Sequence, residues 1–153
     1  MIWHDADGFI TSNLDLKDEI TNYTNLGGTV YVGADSMLYN TSCSFASVIA
    51  MHDRNKKIAK YFYKKKKILG TKYSNLELKI LEEVQLSIEC ANFVLSLCPS
   101  AQIEVHVDIG CNKRNLTSKF YNLIKGWLKG LGFEFKVKPD SWASSSIADW
   151  HTK

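Results

Sequence analysis

The chain has 153 residues, with 19 Lys and Arg against 16 Asp and Glu, which gives a formal net charge of +3 at pH 7. Apolar residues make up 45% of the sequence and only two residues are prolines, a composition that excludes a disordered chain. The length predicts a single domain over residues 1–153, able to bury roughly 70% of its unfolded surface without disulfides. The mild positive charge permits a nucleic-acid partner without requiring one.

The N-terminal residues M-I-W-H-D-A-D have neither the basic start nor the apolar run of a secretion signal. No apolar stretch approaches the roughly 20 residues that span a bilayer, so we expect no membrane association. The four cysteines contain no C-x-x-C pair, which argues against a zinc knuckle or a thioredoxin-type site. These features predict a cytoplasmic protein with reduced thiols.

The first half of the chain predicts one helix and then a meander of strands. The helix covers residues of about 14–24, where Leu16 and Ile20 share one face and Ser12 can cap the N-terminus. Three segments rich in β-branched and aromatic residues predict strands at residues 29–35, 43–52 and 57–63. Their connections are too short for crossover helices, so we expect an antiparallel meander.

The second half predicts alternating helices and strands. A long helix over residues 74–97 is capped by Ser74 or Asn75 and precedes Pro99. The elements after it are a strand at 103–108, a helix at 116–131, a strand at 133–138 and a short C-terminal helix. A meander followed by such alternation predicts an α/β fold, a mixed sheet with helices on both faces.

Two acidic residues end predicted strands. Asp35 follows the apolar residues 30–34, and Asp108 follows the apolar residues 103–107. Ligands of open α/β sheets bind in the crevice outside the strand ends, which makes both carboxylates candidates for a site. Each one taken alone is also an ordinary turn or capping residue.

A third acid, Glu83, interrupts an apolar stripe of the long helix, where an unpaired carboxylate is costly to bury. Glu77 and Glu82 are neighbouring alternatives. The stripe of Glu83 also contains the small or polar residues Ser87 and Cys90, which favours Glu83 as the acid that borders a site.

A fourth acid, Asp149, lies in the short C-terminal helix. The predicted element order would bring it to the same end of the sheet as the other three. Carboxylates that converge repel one another, and a divalent cation such as Mg²⁺ offsets that repulsion. Two such ions form the usual clamp for phosphodiester hydrolysis.

Four segments resemble the YkuK-like group of bacterial and phage ribonuclease H-like proteins. They are V-G-A-D-S at residues 32–36, V-D-I-G at 107–110, K-P-D-S at 138–141 and S-S-S-I-A-D-W-H-T-K at 144–153. The two C-terminal segments are the most specific, and the resemblance covers nearly the whole chain. The predicted element order also matches the ribonuclease H-like fold. Two positions depart from the group's pattern: Ala34 stands where Thr is usual, and Trp150 where Arg is usual.

The resemblance implies a catalytic centre in which Asp35, Glu83, Asp108 and Asp149 hold two Mg²⁺ or Mn²⁺ ions. Ribonuclease H-like enzymes often place a mobile His near their metals, and His151 is the candidate here. The implied activity is that of a metal-dependent endonuclease acting on RNA, an RNA–DNA hybrid or structured DNA, with an exonuclease or a junction resolvase as further possibilities. The alternative is a weakly active or inactive module of this fold that binds nucleic acid or a protein partner.

Basic residues cluster around the third predicted strand and after the fourth. Lysines interleaved with aromatic rings suit phosphates and unstacked bases, so six of these residues are predicted to bind nucleic acid. They are Lys64, Lys65, Lys66, Lys67, Lys113 and Arg114. For residues 64–67, protection of an edge strand against aggregation is an equally good interpretation.

Overall fold

The structure is a computed structural model that describes residues 2–52, 58–109 and 118–153. Its described strands form a seven-stranded sheet in the order β2-β1-β5-β4-β3-β6-β7. The strands are β1 (Trp3–Asp5), β2 (Ile10–Thr11), β3 (Thr29–Tyr39), β4 (Ser42–His52), β5 (Ile58–Leu69), β6 (Gln102–His106) and β7 (Glu134–Lys136). Strands β3, β4 and β5 are the predicted antiparallel meander, β6 pairs in parallel with β3, and β7 pairs in parallel with β6.

Four α-helices and two shorter helical segments complete the described fold. The α-helices are α1 (Asn13–Asn25), α2 (Leu76–Leu97), α3 (Ser118–Gly130) and α4 (Asp149–Thr152). A 3₁₀ turn at Lys72–Ser74 precedes α2, and a π-helix at Ala143–Ala148 runs directly into α4. Side chains cap the N-termini of α1 and α2. Ser12 Oγ accepts a hydrogen bond from the Asp15 amide, and Asn75 Oδ1 accepts one from the Leu78 amide.

The sheet carries helices on both faces, which confirms the predicted α/β architecture. Helices α1, α2 and α3 pack on one face, where Val30 and Val32 of β3 join the main core. The π-helix packs on the other face, with Ile147 against Ala46 and Val48 of β4. Because strand side chains alternate in direction, Tyr31, Gly33 and Asp35 of β3 lie on the π-helix face.

Two strands extend beyond their predicted ends. The first strand of the meander was expected to end at residue 35 and continues to Tyr39, and the third, expected to end at residue 63, continues to Leu69. Both extensions pair with β4 throughout. In β5, this cross-strand hydrogen bonding outweighs the weak strand propensity of the consecutive lysines. The predicted turn at residues 53–56 lies outside the described residues.

The N-terminal hairpin of β1 and β2 was not predicted. Its strands are only three and two residues long, too short to show a period of two. Asp5 Oδ1 accepts from the amides of Asp7 and Phe9 and so builds the turn, and β1 pairs with β5. None of the helices in the described part of the chain has the length and apolarity that a bilayer crossing requires.

Candidate active site

Asp35 lies where the sheet opens. Strand β6 stops pairing with β3 at Gly33, two residues before Asp35, so Asp35 lies just beyond the carboxyl end of β6, where open α/β sheets are expected to form a crevice. The Asp35 side chain is nevertheless only 6% exposed. Burial, then the negative charges of Glu83 and Asp108, then a hydrogen bond with Asp149 raise the pKa of Asp35 to about 8. All three other predicted acids therefore act on this one carboxyl group.

Glu83 reaches the crevice from α2 and is 5% exposed. Its Oε1 accepts a short hydrogen bond from Ser36 Oγ and lies 3.4 Å from Lys79 Nζ. Burial raises the pKa of Glu83, the Lys79 ammonium and the Ser36 hydroxyl oppose this effect, and the charge of Asp108 adds to it.

The two alternatives to Glu83 face elsewhere. Glu82 pairs with Lys66 at 3.1 Å, and Glu77 is exposed in the first turn of α2. Successive residues on a helix point about 100° apart, which is why the adjacent Glu82 is directed away from the crevice. Of the three glutamates, Glu83 is the one whose charge acts on Asp35.

Asp108 follows β6, which ends at His106 rather than at the predicted residue 108. The Asp108 side chain is 17% exposed, and its Oδ1 lies 3.0 Å from Lys138 Nζ. The two atoms form an ion pair without hydrogen-bond geometry, since the buried Oδ1 has no hydrogen-bond partner among the described residues. Lys138 belongs to the K-P-D-S segment, so that segment supplies the cation facing Asp108.

Asp149 is the first residue of α4 and is held in place through the π-helix before it. The Ala143 amide donates to Nδ1 of the buried His106 at 3.0 Å. Gly33 lets the π-helix approach β3, because a Cβ at Gly33 would lie 2.8 Å from Ser144 N. Asp149 Oδ2 itself lies 3.4 Å from Lys153 Nζ.

Three of the four acids thus have a lysine of their own. The pairs are Lys79 with Glu83, Lys138 with Asp108 and Lys153 with Asp149. Asp35 has no ion pair with a Lys, Arg or His among the described residues. Asp35 therefore has the least compensation of the four, and burial, the largest cause of its raised pKa, is not opposed by a neighbouring cation in the described part of the chain.

The donor set suits a hard divalent cation. Four carboxyl groups from four elements surround one crevice, and a cation there would offset a negative charge that is costly to bury. Among the described residues, no three acidic, His or Cys side chains are drawn together closely enough to hold an ion as they stand. The lysine pairs account for this spread, because each draws a carboxylate toward its own ammonium.

His151 is fixed by aromatic rings rather than frayed at the chain end. Its Nε2 lies 3.0 Å from the Tyr61 hydroxyl, and its ring stacks on Tyr63 with centroids 3.7 Å apart. Burial, followed by the charge of Lys65, lowers the pKa of His151. Its ring contacts in the described structure are with β5, two strands from Asp35, and its role beside the metals stays a prediction.

The four consecutive lysines divide between the two faces of the sheet. Lys64 lies over the Trp3 ring at 5.0 Å and Lys66 pairs with Glu82, both on the α2 face. Lys65 and Lys67 are exposed on the opposite face, which is also that of Asp35. In register, Asp35 pairs with Ala46 and Ala46 with Lys65, so Lys65 is two strands away on the same face. Lys113 and Arg114 lie outside the described residues.

The contacts that support the acids were not predicted from the sequence. Lys79 precedes Glu83 by four positions on one helix, a spacing that could have indicated an ion pair. Ser36, His106 and Lys138 gave no such local signal for these contacts, because their partners are 47, 37 and 30 positions away.

The sheet has an antiparallel meander at its centre and parallel strands at one side. The four acids come from a strand, a helix, a strand end and a C-terminal helix. Together these features define the ribonuclease H-like class of folds. The chain belongs to this family: the family model described as Ribonuclease H-like matches residues 13–153. It is also similar to the uncharacterized protein YkuK of Bacillus subtilis (strain 168). The two are 28% identical over 137 residues, which cover 80% of this chain and 77% of that protein. The YkuK-like resemblance of the sequence is confirmed.

Proposed function

We propose that the protein is a metal-dependent nuclease that hydrolyses phosphodiester bonds in RNA, an RNA–DNA hybrid or structured DNA. The observation that carries this proposal is that Glu83, Asp108 and Asp149 all act on the buried carboxyl group of Asp35 and help to raise its pKa. A structural role explains this arrangement poorly, because Asp35 has no ion pair with a cation among the described residues and its charge is costly to bury. Membership of the ribonuclease H-like family supports a nuclease-type reaction.

Asp35, Glu83, Asp108 and Asp149 would hold two Mg²⁺ or Mn²⁺ ions. When bound, such ions lower the pKa of the attacking water and stabilise the departing oxygen. The surrounding residues orient the carboxylates. Ser36 donates to Glu83 Oε1, and the Ser87 hydroxyl donates to the Glu83 carbonyl oxygen one turn along α2.

The substrate backbone would cross the face of the sheet that carries Asp35. Lys65 and Lys67 are exposed there, and their ammonium groups suit phosphate oxygens. Trp150, next to Asp149, is 74% exposed and offers a ring on which a base can stack. Lys65 and Lys67 share the sheet face of Asp35, and Trp150 directly follows Asp149 in the chain.

The test is a titration of Mg²⁺ and Mn²⁺ against labelled RNA–DNA hybrid, single-stranded RNA and branched DNA. We expect metal-dependent cleavage of at least one substrate, lost by a factor of about 10² or more in Asp35→Asn and in Asp108→Asn. Glu89→Gln is the matched control, since Glu89 is exposed on α2 away from the crevice. Cleavage that persists in both aspartate variants, or is absent from every substrate and metal, contradicts the proposal.

The second candidate is a module of the same fold that binds nucleic acid without cutting it. The lysine pairs favour it, because three of the acids are already neutralised in the absence of metal. It predicts binding that persists in EDTA and in Asp35→Asn, with an affinity that falls as salt rises. Loss of binding on removal of Mg²⁺ argues for the nuclease instead.

A further inference from the structure

The K-P-D-S segment contributes a lysine that the proposed metal ligands leave unexplained. Lys138 Nζ lies 3.0 Å from Asp108 Oδ1, and its side chain is 52% exposed. The oxygen that it faces is buried and has no hydrogen bond to any of the residues that the structure describes. The ammonium thus neutralises this carboxylate from a side chain that is about half exposed to solvent.

A metal ion and this ammonium compete for Asp108. Mg²⁺ binds carboxylate oxygens at about 2.0–2.1 Å, so an ion on Asp108 would face the Lys138 ammonium at short range. Two cations so close repel each other strongly in a partly buried site. Since the ion is held by several ligands and the ammonium by one ion pair, the ammonium is the group that moves.

The other two lysines are less suited to such an exchange. Lys79 is only 18% exposed and lies one helical turn from Glu83, so its position follows from α2 itself. Lys153 pairs with Asp149 at the surface, where solvent weakens the attraction. Lys138 combines the shortest of the three separations with a half-exposed side chain that lies outside any helix.

We propose that Lys138 is an exchangeable cation: it neutralises Asp108 in the metal-free protein and, when metal binds, turns to hold a phosphate oxygen of the substrate. This rests on the proposed nuclease function. In the metal-free protein the Lys138 ammonium neutralises Asp108. Once metal takes over that role, the same ammonium becomes available to a substrate phosphate. Both states need a long, mobile ammonium rather than a fixed guanidinium fork.

The test measures metal binding without substrate, by calorimetry with Mn²⁺, alongside cleavage. Lys138→Met removes the competitor, so we expect Mn²⁺ to bind about three- to fivefold more tightly while kcat/KM falls about tenfold or more. Lys138→Arg should weaken Mn²⁺ binding, because a bidentate guanidinium holds Asp108 more firmly. Lys129→Met is the charge-matched control. Lys129 lies in the last turn of α3, which precedes the start of β7, whereas Lys138 follows the end of β7.

The outcomes separate this proposal from the nuclease function. If the wild type binds Mn²⁺ and cleaves, but Lys138→Met binds Mn²⁺ no more tightly than the wild type, the exchange is wrong and the nuclease function still stands. Tighter binding with unchanged kcat/KM overturns the transfer to substrate phosphate. A wild-type protein that neither binds Mn²⁺ nor cleaves overturns both. Circular dichroism of each variant verifies that the fold is retained, as expected for a half-exposed side chain.

Discussion

Asp35 is the residue at which the electrostatics of the crevice concentrate. It is nearly buried, three acids act on it, and the lysines of the crevice pair with those acids instead. A carboxyl group in this position costs folding free energy whenever it is ionised without a cation nearby. A divalent ion bound at Asp35, as proposed above, would remove that cost and displace the proton.

The pH dependence of stability follows from the raised pKa of Asp35. Its folded pKa of about 8 lies above the value of 3.8 for an ordinary aspartate, so the folded state holds a proton that the unfolded state releases. The stability that this proton provides is present at low pH and is lost as pH rises from about 4 to about 8. Removing the ionisable group should remove that loss.

We therefore expect Asp35→Asn to be more stable than the wild type in EDTA at pH 8, by an amount on the order of a few kcal/mol, with a smaller difference at pH 5. Added Mg²⁺ should stabilise the wild type and leave the variant unchanged. Urea denaturation across this pH range measures both effects, and Glu89→Gln serves as the control. A wild type that is no less stable than Asp35→Asn at pH 8 would contradict this account of the crevice.

The π-helix is the element that carries Asp149 to Asp35. It is held by the hydrogen bond from the Ala143 amide to His106 and by the close approach of Ser144 to Gly33. His106 Nε2 lies 2.9 Å from Glu104 Oε1, so both ring nitrogens have partners. π-Helical turns occur frequently at functional sites, and here the π-helix ends at Ala148, directly before Asp149, the first residue of α4.

Gly33→Ala tests the docking of this element. The new Cβ would meet backbone at 2.8 Å, so the π-helix must shift; we expect a loss of about 1–3 kcal/mol in unfolding free energy and weaker metal-dependent cleavage. Gly126→Ala in α3 is the matched control, since its Cβ meets nothing within 4 Å. That variant should gain roughly 0.5–1 kcal/mol and keep its activity. Equal behaviour of the two variants would show that Gly33 does not hold the π-helix.

Strand β5 shows how much of an element the sequence can predict. The run at residues 64–67 was interpreted as one basic cluster, because lysines adjacent in sequence look equivalent. Strand pairing separates them, since alternate side chains point to opposite faces once residues 64–67 pair with β4. The extent of that pairing depends on β4, so it could not be predicted from β5 alone.

The whole molecule has its net charge of +3 distributed unevenly. Four of its 16 acids surround one crevice, and two of the four consecutive lysines are exposed on the Asp35 face. This arrangement favours a polyanion on that face more strongly than the small net charge suggests. An ion bound at the crevice would strengthen the effect further by neutralising the acids.

Nucleic-acid binding should therefore distinguish the two pairs of lysines. We expect the double variant Lys65→Gln, Lys67→Gln to bind more weakly and to reduce the slope of log affinity against log salt by about 2. The control, Lys64→Gln with Lys66→Gln, removes the same charge from the α2 face and should leave the slope nearly unchanged. Fluorescence anisotropy at several salt concentrations measures the affinity and the slope for each double variant. Equal slopes for the two variants would exclude the Asp35 face as the nucleic-acid-binding face.

The sequence by itself determined the order and type of most elements, because hydrophobic periodicity and capping residues act over a few positions of the chain. It also identified Asp35, Asp108 and Glu83 as acids in costly places, whereas Asp149 was added by the resemblance to the ribonuclease H-like family. Only the tertiary structure decided which lysine faces which acid, which lysines share a face with Asp35, and how the π-helix is docked. Those contacts join residues far apart in the chain, and they depend on strand register and helix packing, which no local pattern encodes.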